Sequence, residues 1–165
     1  EAMQLSTNYG HLISDSYIET IALAAPLSDL GNVAIPTDIL QKKESLLPEE
    51  LAVIQTHTTV GAKILQDIRN TGDYNDFLQM SIDIAHYHHE NWDGSGYPCG
   101  KKGEEIPLSA QILSVVSSYC AITETRVYRH SYDIDAAFEL MEADAGKKFN
   151  PDIFLILRKI RRQLH

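Results

Sequence analysis

Residues 74–89, YNDFLQMSIDIAHYHH, repeat apolar groups at helical spacing and then end in histidine. Leu78, Ile82, Ala85 and His89 fall on one line of an α-helix, and Phe77, Ile84 and His88 on its neighbour. Any fold that buries this helix must also draw two adjacent imidazoles inward at its end. A buried imidazole is costly without a partner, so the chain must place one nearby. His57 is the candidate, because it sits on an inner stripe of its own, three residues after Ile54 and four before Gly61.

The other periodic stretches are helical as well. Residues 15–27 place Ile18, Ile21, Ala22 and Ala25 inward, with Ser14 or Asp15 as cap and Gly31 as stop. VAIPTDIL then reads as an extended piece in which Pro36 opens a short helical turn, and residues 41–47 read as solvated loop. Pro48 opens a long helix over about 48–69, its stripe running Leu51, Ile54, Gly61, Ile64, Leu65 and Ile68. Residues 90–106 carry five Gly or Pro residues in the run Gly94, Gly96, Pro98, Gly100 and Gly103 and are read as loop. Further helices are expected over 107–123, over 133–145 with Gly146 closing it, and from an Asn150-Pro151 start to about 163. No stretch alternates as a strand does and none repeats. The expected fold class is all-α, with about seven helices in a single domain spanning 1–165.

Charge narrows the function. The 165 residues carry a net charge of −9, which argues against a nucleic-acid polymer, since that needs a basic face. It leaves room for a small phosphate ligand held by a local cluster. Two cysteines, Cys99 and Cys120, make no disulfide framework, so a reducing cytoplasm is the expected location. No apolar run approaches the roughly 20 residues of a membrane span. The opening EAMQLSTNYG reads as the interior of a longer protein.

Three inward histidines on two helices change what each one means. A single buried histidine is usually a satisfied core residue. A shared cation satisfies three at once, and imidazole with carboxylate suits Fe, Mn, Zn or Ni. His86 lies on another line of its helix and is placed at the surface or behind the ligands.

The segment HHENWDGSGYP, residues 88–98, resembles the signature of the HD-GYP family of cyclic di-GMP phosphodiesterases, and the likeness extends over almost the whole chain. LAAPLSDLGNVAIPTDIL is similar to the family's first motif, LLPEELAVIQTHTTVGAKIL to its next helix with one ligand histidine, and GKKFNPDIF to its closing motif. The resemblance implies an all-α HD-domain core of five helices with two more at the C-terminal side. It also implies that the chain starts too late to contain all of the first core helix. By the same resemblance Asp29, His57, His88 and His89 are metal ligands, and Arg126 and Arg129 meet the phosphates of a cyclic dinucleotide. Tyr97 is placed at the ligand, while Gly94, Gly96 and Pro98 shape the loop, Gly96 by a backbone conformation that other residues resist.

The chain departs from the family pattern at defined places. Ser28 stands where the first motif has histidine, Asn32 where it has lysine, Ser117 where a metal-binding aspartate is implied, and Cys120 where another aspartate is usual. The family centre holds two metals. Ser28 and Ser117 strip one position, whereas Asp29, His57, His88 and His89 all belong to the other. The expectation is therefore a degenerate domain with one divalent metal in a partial site, an empty site being the alternative. Such a domain is expected to be catalytically impaired, with a regulatory, ligand-sensing or protein-interaction role. Residual phosphodiesterase activity is the competing reading. The implied partners are cyclic di-GMP or a related dinucleotide, a signalling protein, and an upstream sensor or receiver domain.

Overall fold

The computed structural model describes residues 1–72, 75–124 and 134–164. Among these the chain forms eight α-helices and four short 3-10 turns, and no strand. The helices are α1 Asp15–Ala24, α2 Thr37–Leu40, α3 Pro48–Gln55, α4 His57–Thr71, α5 Asp76–Tyr87, α6 Leu108–Thr123, α7 Ile134–Glu142 and α8 Pro151–Lys159. The all-α expectation holds. No described helix is long and apolar enough to cross a membrane.

Side-chain caps close three helix starts, at Ser14 and Asn150 as expected and at Asn75 besides. Ser14, rather than Asp15, accepts the backbone N–H of Tyr17, and Asn75 accepts that of Leu78. Asn150 accepts from the Asp152 N–H, and its amide nitrogen also donates to Gln111 Oε1 and to the Tyr9 hydroxyl. This buried amide thus ties α8 to α6 and to the first residues of the chain. Residues 1–14 are a succession of turns, and they place Tyr9 and Ile13 in the main core with Val115, Phe138, Met141 and Phe154.

A second, smaller core lies between α4 and α5, built on Ala62, Leu65, Ile82 and Ala85. Here the structure corrects the single helix expected over 48–69. The chain bends at Thr56, dividing that span into α3 and α4. The bend has a local cause in the run Thr56-His57-Thr58-Thr59. Each threonine hydroxyl donates to the carbonyl three residues back, on Val53, Gln55 and Thr56. β-Branching and side-chain bonding to the backbone both work against a regular helix. The break shifts the phase of the stripe, and Leu51 and Ile68, expected inside, are 46% and 50% exposed.

The segment after α1 also differs from expectation. It folds as 3-10 turns over Ala25–Leu27 and Leu30–Ala34, with extended backbone only at Ile35 and Pro36. Gly31 is not a helix stop. It sits inside the second turn, pressed against the start of α4: a Cβ there would lie 1.9 Å from the His57 carbonyl oxygen and 2.7 Å from the Gly61 nitrogen. Only a residue with no side chain permits this approach, and the approach brings the backbone of residues 29–31 to the end of α4 that carries His57.

Candidate functional site

His57 is the first residue of α4, and His88 is the residue that caps α5. The two helices pack side by side, so their histidine-bearing ends meet. One donor atom from each of Asp29, His57, His88 and His89 lies within 4.8 Å of every other. These are the four residues assigned to the retained metal position. His57 and His88 are buried, His89 is half-buried, and Asp29 is open to solvent.

The backbone fixes which nitrogens face the centre. His57 Nδ1 donates to the Ile54 carbonyl at 2.7 Å, a bond allowed by the bend at Thr56. His88 Nδ1 donates to the Ile84 carbonyl at 2.8 Å. Each Nε2 of a neutral ring is then a lone pair, and the two Nε2 atoms stand 3.5 Å apart. Asp29 Oδ1 lies 3.5 Å from the first and 3.9 Å from the second. Three acceptors at such distances repel unless a proton or a cation lies among them. A cation with ligand bonds of about 2.0–2.2 Å sets its neighbouring ligands roughly 3–3.5 Å apart. The donor set thus fits one divalent metal, with both imidazoles oriented by a backbone carbonyl behind them.

Burial favours the neutral form that metals require in the rings of His88 and His89. It holds the pKa of His88 below its ordinary value, against the opposing pull of the Ile84 carbonyl. His89 is pushed down to about 3, chiefly by burial and then by the neighbouring His88, His57 and Lys148. The Tyr97 ring stacks on His89 with centroids 4.9 Å apart and planes 19° from parallel. Burial, helped by the Asp29 charge, pushes the Tyr97 hydroxyl up to about 12. Tyr97 therefore covers a candidate ligand instead of packing into the core. His86 stays out of the cluster, as expected, and stacks on Tyr87.

The loop that carries Tyr97 is held by Glu90, a residue whose role the sequence did not disclose. Glu90 is 2% exposed, and its two carboxylate oxygens accept the backbone N–H groups of Cys99 at 2.7 Å and Lys101 at 3.0 Å. The hint was its position: an acid directly after two inward histidines is itself drawn inside. Gly96 corrects a second expectation. Its backbone is not in the left-handed region, which Gly94 does occupy at φ 87°. Gly96 is required by crowding, since a Cβ there would fall 2.2 Å from the Asn91 nitrogen and 2.5 Å from the His89 carbonyl. The Tyr97–Pro98 peptide bond is cis.

A cleft of about 600 Å³ opens beside His88 and His89. Tyr97, Asn91 and Ser95 line it from the glycine-rich loop, Ser114, Ser117 and Ser118 from α6, and Asp144 and Lys148 from the α7–α8 connection. Ser117 thus faces the same cleft as the two histidines. Ser28 directly precedes Asp29, and the Asn32 N–H donates to the Asp29 carbonyl, so both stand in the turn that presents the carboxylate. Cys120 is half-buried on α6, and its thiol is pushed up by burial and by Glu124. Arg126 and Arg129 lie outside the described residues.

An all-α scaffold with histidines and an aspartate gathered where two helices end is the arrangement of one known class. The family described as HD domain matches residues 7–153 of the chain. The chain belongs to that family. It is 37% identical over 152 residues to a cyclic di-GMP phosphodiesterase of Thermotoga maritima, a match covering 92% of this chain and 40% of that protein. It is 38% identical over 152 residues to a cyclic di-GMP phosphodiesterase response regulator of Xanthomonas campestris, covering 92% of this chain and 39% of the relative. The chain therefore spans about two fifths of the length of these relatives. Its fold is also similar to the crystal structure of a cyclic GMP-AMP specific phosphodiesterase of Vibrio cholerae, with a TM-score of 0.61 at 16% identity, over 99% of this chain and 42% of the other.

Proposed function

We propose that this chain is a degenerate HD-GYP domain of cyclic di-GMP signalling, one that holds a single divalent metal and is impaired as a phosphodiesterase. It serves as a ligand-sensing or protein-interaction module within a longer cytoplasmic protein that carries a sensor or receiver domain upstream. One observation carries the reading: four donors converge within 4.8 Å, while Ser28 and Ser117 occupy positions where the resemblance implies further ligands. A neutral hydroxyl is a poor substitute for imidazole or carboxylate in holding a second cation.

When bound, a divalent metal supplies Lewis acidity toward a phosphoryl oxygen. The protein's own residues supply the rest. Asp29, His57, His88 and His89 would hold the ion, and Tyr97 would shield His89 from the cleft. Asn32 brings no charge to stabilise a phosphate where the family has lysine. Losing one electrostatic donor of this kind commonly costs about 10²–10³ in rate.

The test is metal analysis and turnover on protein purified without chelator, beside the Thermotoga maritima relative as reference. The expected result is about one metal per chain and hydrolysis of cyclic di-GMP at least about 10²-fold below the reference. Two metals per chain, or hydrolysis at the reference rate, would overturn the proposal. The intact four-donor cluster favours one competing reading, a residual one-metal phosphodiesterase. Slow turnover that disappears in His88→Ala would select it.

A further inference from the structure

We propose that Lys148 is the phosphate anchor of the cleft, supplying the positive charge that Asn32 does not. Among the described residues that line the cleft it is the one lysine or arginine, and it forms no ion pair among the described residues. Its position is fixed from two sides. The Lys148 N–H donates to the Asp144 carbonyl at 2.8 Å, and the Lys148 carbonyl accepts from the Trp92 N–H at 3.2 Å. The next residue, Phe149, is 1% exposed. The lysine is thus mounted on a segment stitched to the glycine-rich loop that carries Tyr97, and its ammonium stands 5.3 Å from the Phe149 ring centroid.

The opposite chemistry of the cleft suits an anion. Ser114, Ser117 and Ser118 stand three and four residues apart, on one face of α6. Their hydroxyls donate to phosphate oxygens without a charge of their own. At residue 117 the resemblance implies a carboxylate, which would repel a phosphate brought toward Lys148. Serine there removes a metal ligand and makes the same cleft more receptive to an anion. Asp144 is the one carboxylate among the described lining residues. The ligand class is a phosphodiester-bearing molecule, and its identity as cyclic di-GMP rests on the reading in the preceding subsection.

The experiment compares wild type, Lys148→Met and Lys147→Met, with thermal melts confirming that all three fold. Methionine keeps most of the stem, and Lys147 does not line the cleft, so it controls for net charge. Titration calorimetry with cyclic di-GMP should show affinity reduced about tenfold to hundredfold in Lys148→Met and changed less than about twofold in Lys147→Met. Equal affinity in all three, or an equal loss in both variants, overturns the anchor. If wild type does not bind cyclic di-GMP, the dinucleotide reading falls, and inorganic phosphate followed by NMR decides the anchor separately. Saturable shifts around residues 144–149 that vanish in Lys148→Met sustain it, and their absence from wild type overturns it.

Discussion

On the side of the cleft where His88 and His89 join the four-donor cluster, each histidine also has work to do in the fold. His57 and His88 donate Nδ1–H to the carbonyls of Ile54 and Ile84, and His89 carries the Tyr97 ring. Asp29 is presented by a turn that Gly31 packs against the start of α4. The facing wall, on α6, differs. Ser117 is an exposed position, whereas Val115, on the far side of the same helix, is fully buried. Under the proposed division of the site, the contrast explains how a domain of this kind would lose half of a metal centre while keeping its shape. Ligands that double as structural ties are costly to replace, whereas a ligand that only points into solvent costs the fold almost nothing.

The largest effect that would test this contrast is His88→Ala. Loss of a partner behind a metal ligand typically weakens metal affinity about 10–100-fold, and loss of the ligand itself should exceed that. Competition against a chelator would measure it. Metal retained at wild-type strength in His88→Ala would show that the cluster is not the metal centre. Gly31→Ala comes next. Its Cβ has no room against the backbone of His57 and Gly61, and backbone cannot swing aside as a side chain does. Overpacking of this kind costs about 1–3 kcal/mol, and the upper end is expected here. Chemical denaturation would read the loss, with a parallel drop in metal content as Asp29 is pushed from His57.

Much of this wall was legible in the sequence because helical spacing fixes direction. The phase of residues 77–89 points both His88 and His89 inward, and the phase that His57 shares with the buried Gly61 on α4 does the same for His57. What spacing does not encode is contact across the chain. Gly31 reads as a helix stop when seen alone, since its need for a missing Cβ exists only once α4 lies against it. The bend at Thr56 was half-visible in the run of threonines, but apolar residues on both sides of it keep a helical rhythm that hides the break. Glu90 was hidden for another reason: its partners are backbone N–H groups, which carry no side-chain signature.

Glu90→Gln examines the anchor of the glycine-rich loop that lines the same cleft. The carboxylate gives one oxygen to Cys99 N–H and the other to Lys101 N–H. An amide keeps one acceptor and turns a donor toward the second N–H. Hydrogen bonds to a charged group are worth about 1.5–3 kcal/mol, so a loss of about 2 kcal/mol is expected in denaturant melts. The glycine-rich loop should loosen with it, read as faster amide exchange at Cys99 and Lys101. Unchanged exchange there would mean that the loop is held by something other than this carboxylate.

The smallest effect carries the most for the comparison. Ser117→Ala removes a hydroxyl from the exposed face of α6, and alanine is the better helix former. Stability should move by less than about 0.5 kcal/mol. Metal content should not change at all, because in the proposed division of the site the four donors on the other wall hold the ion without help from α6. Metal analysis of Ser117→Ala beside His88→Ala therefore tests the division directly. Equal metal loss in both variants would join the two walls into one centre and refute a half-site. Full occupancy in Ser117→Ala with loss in His88→Ala is the outcome that only a one-sided centre predicts, since a two-walled centre would register the missing hydroxyl at the ion.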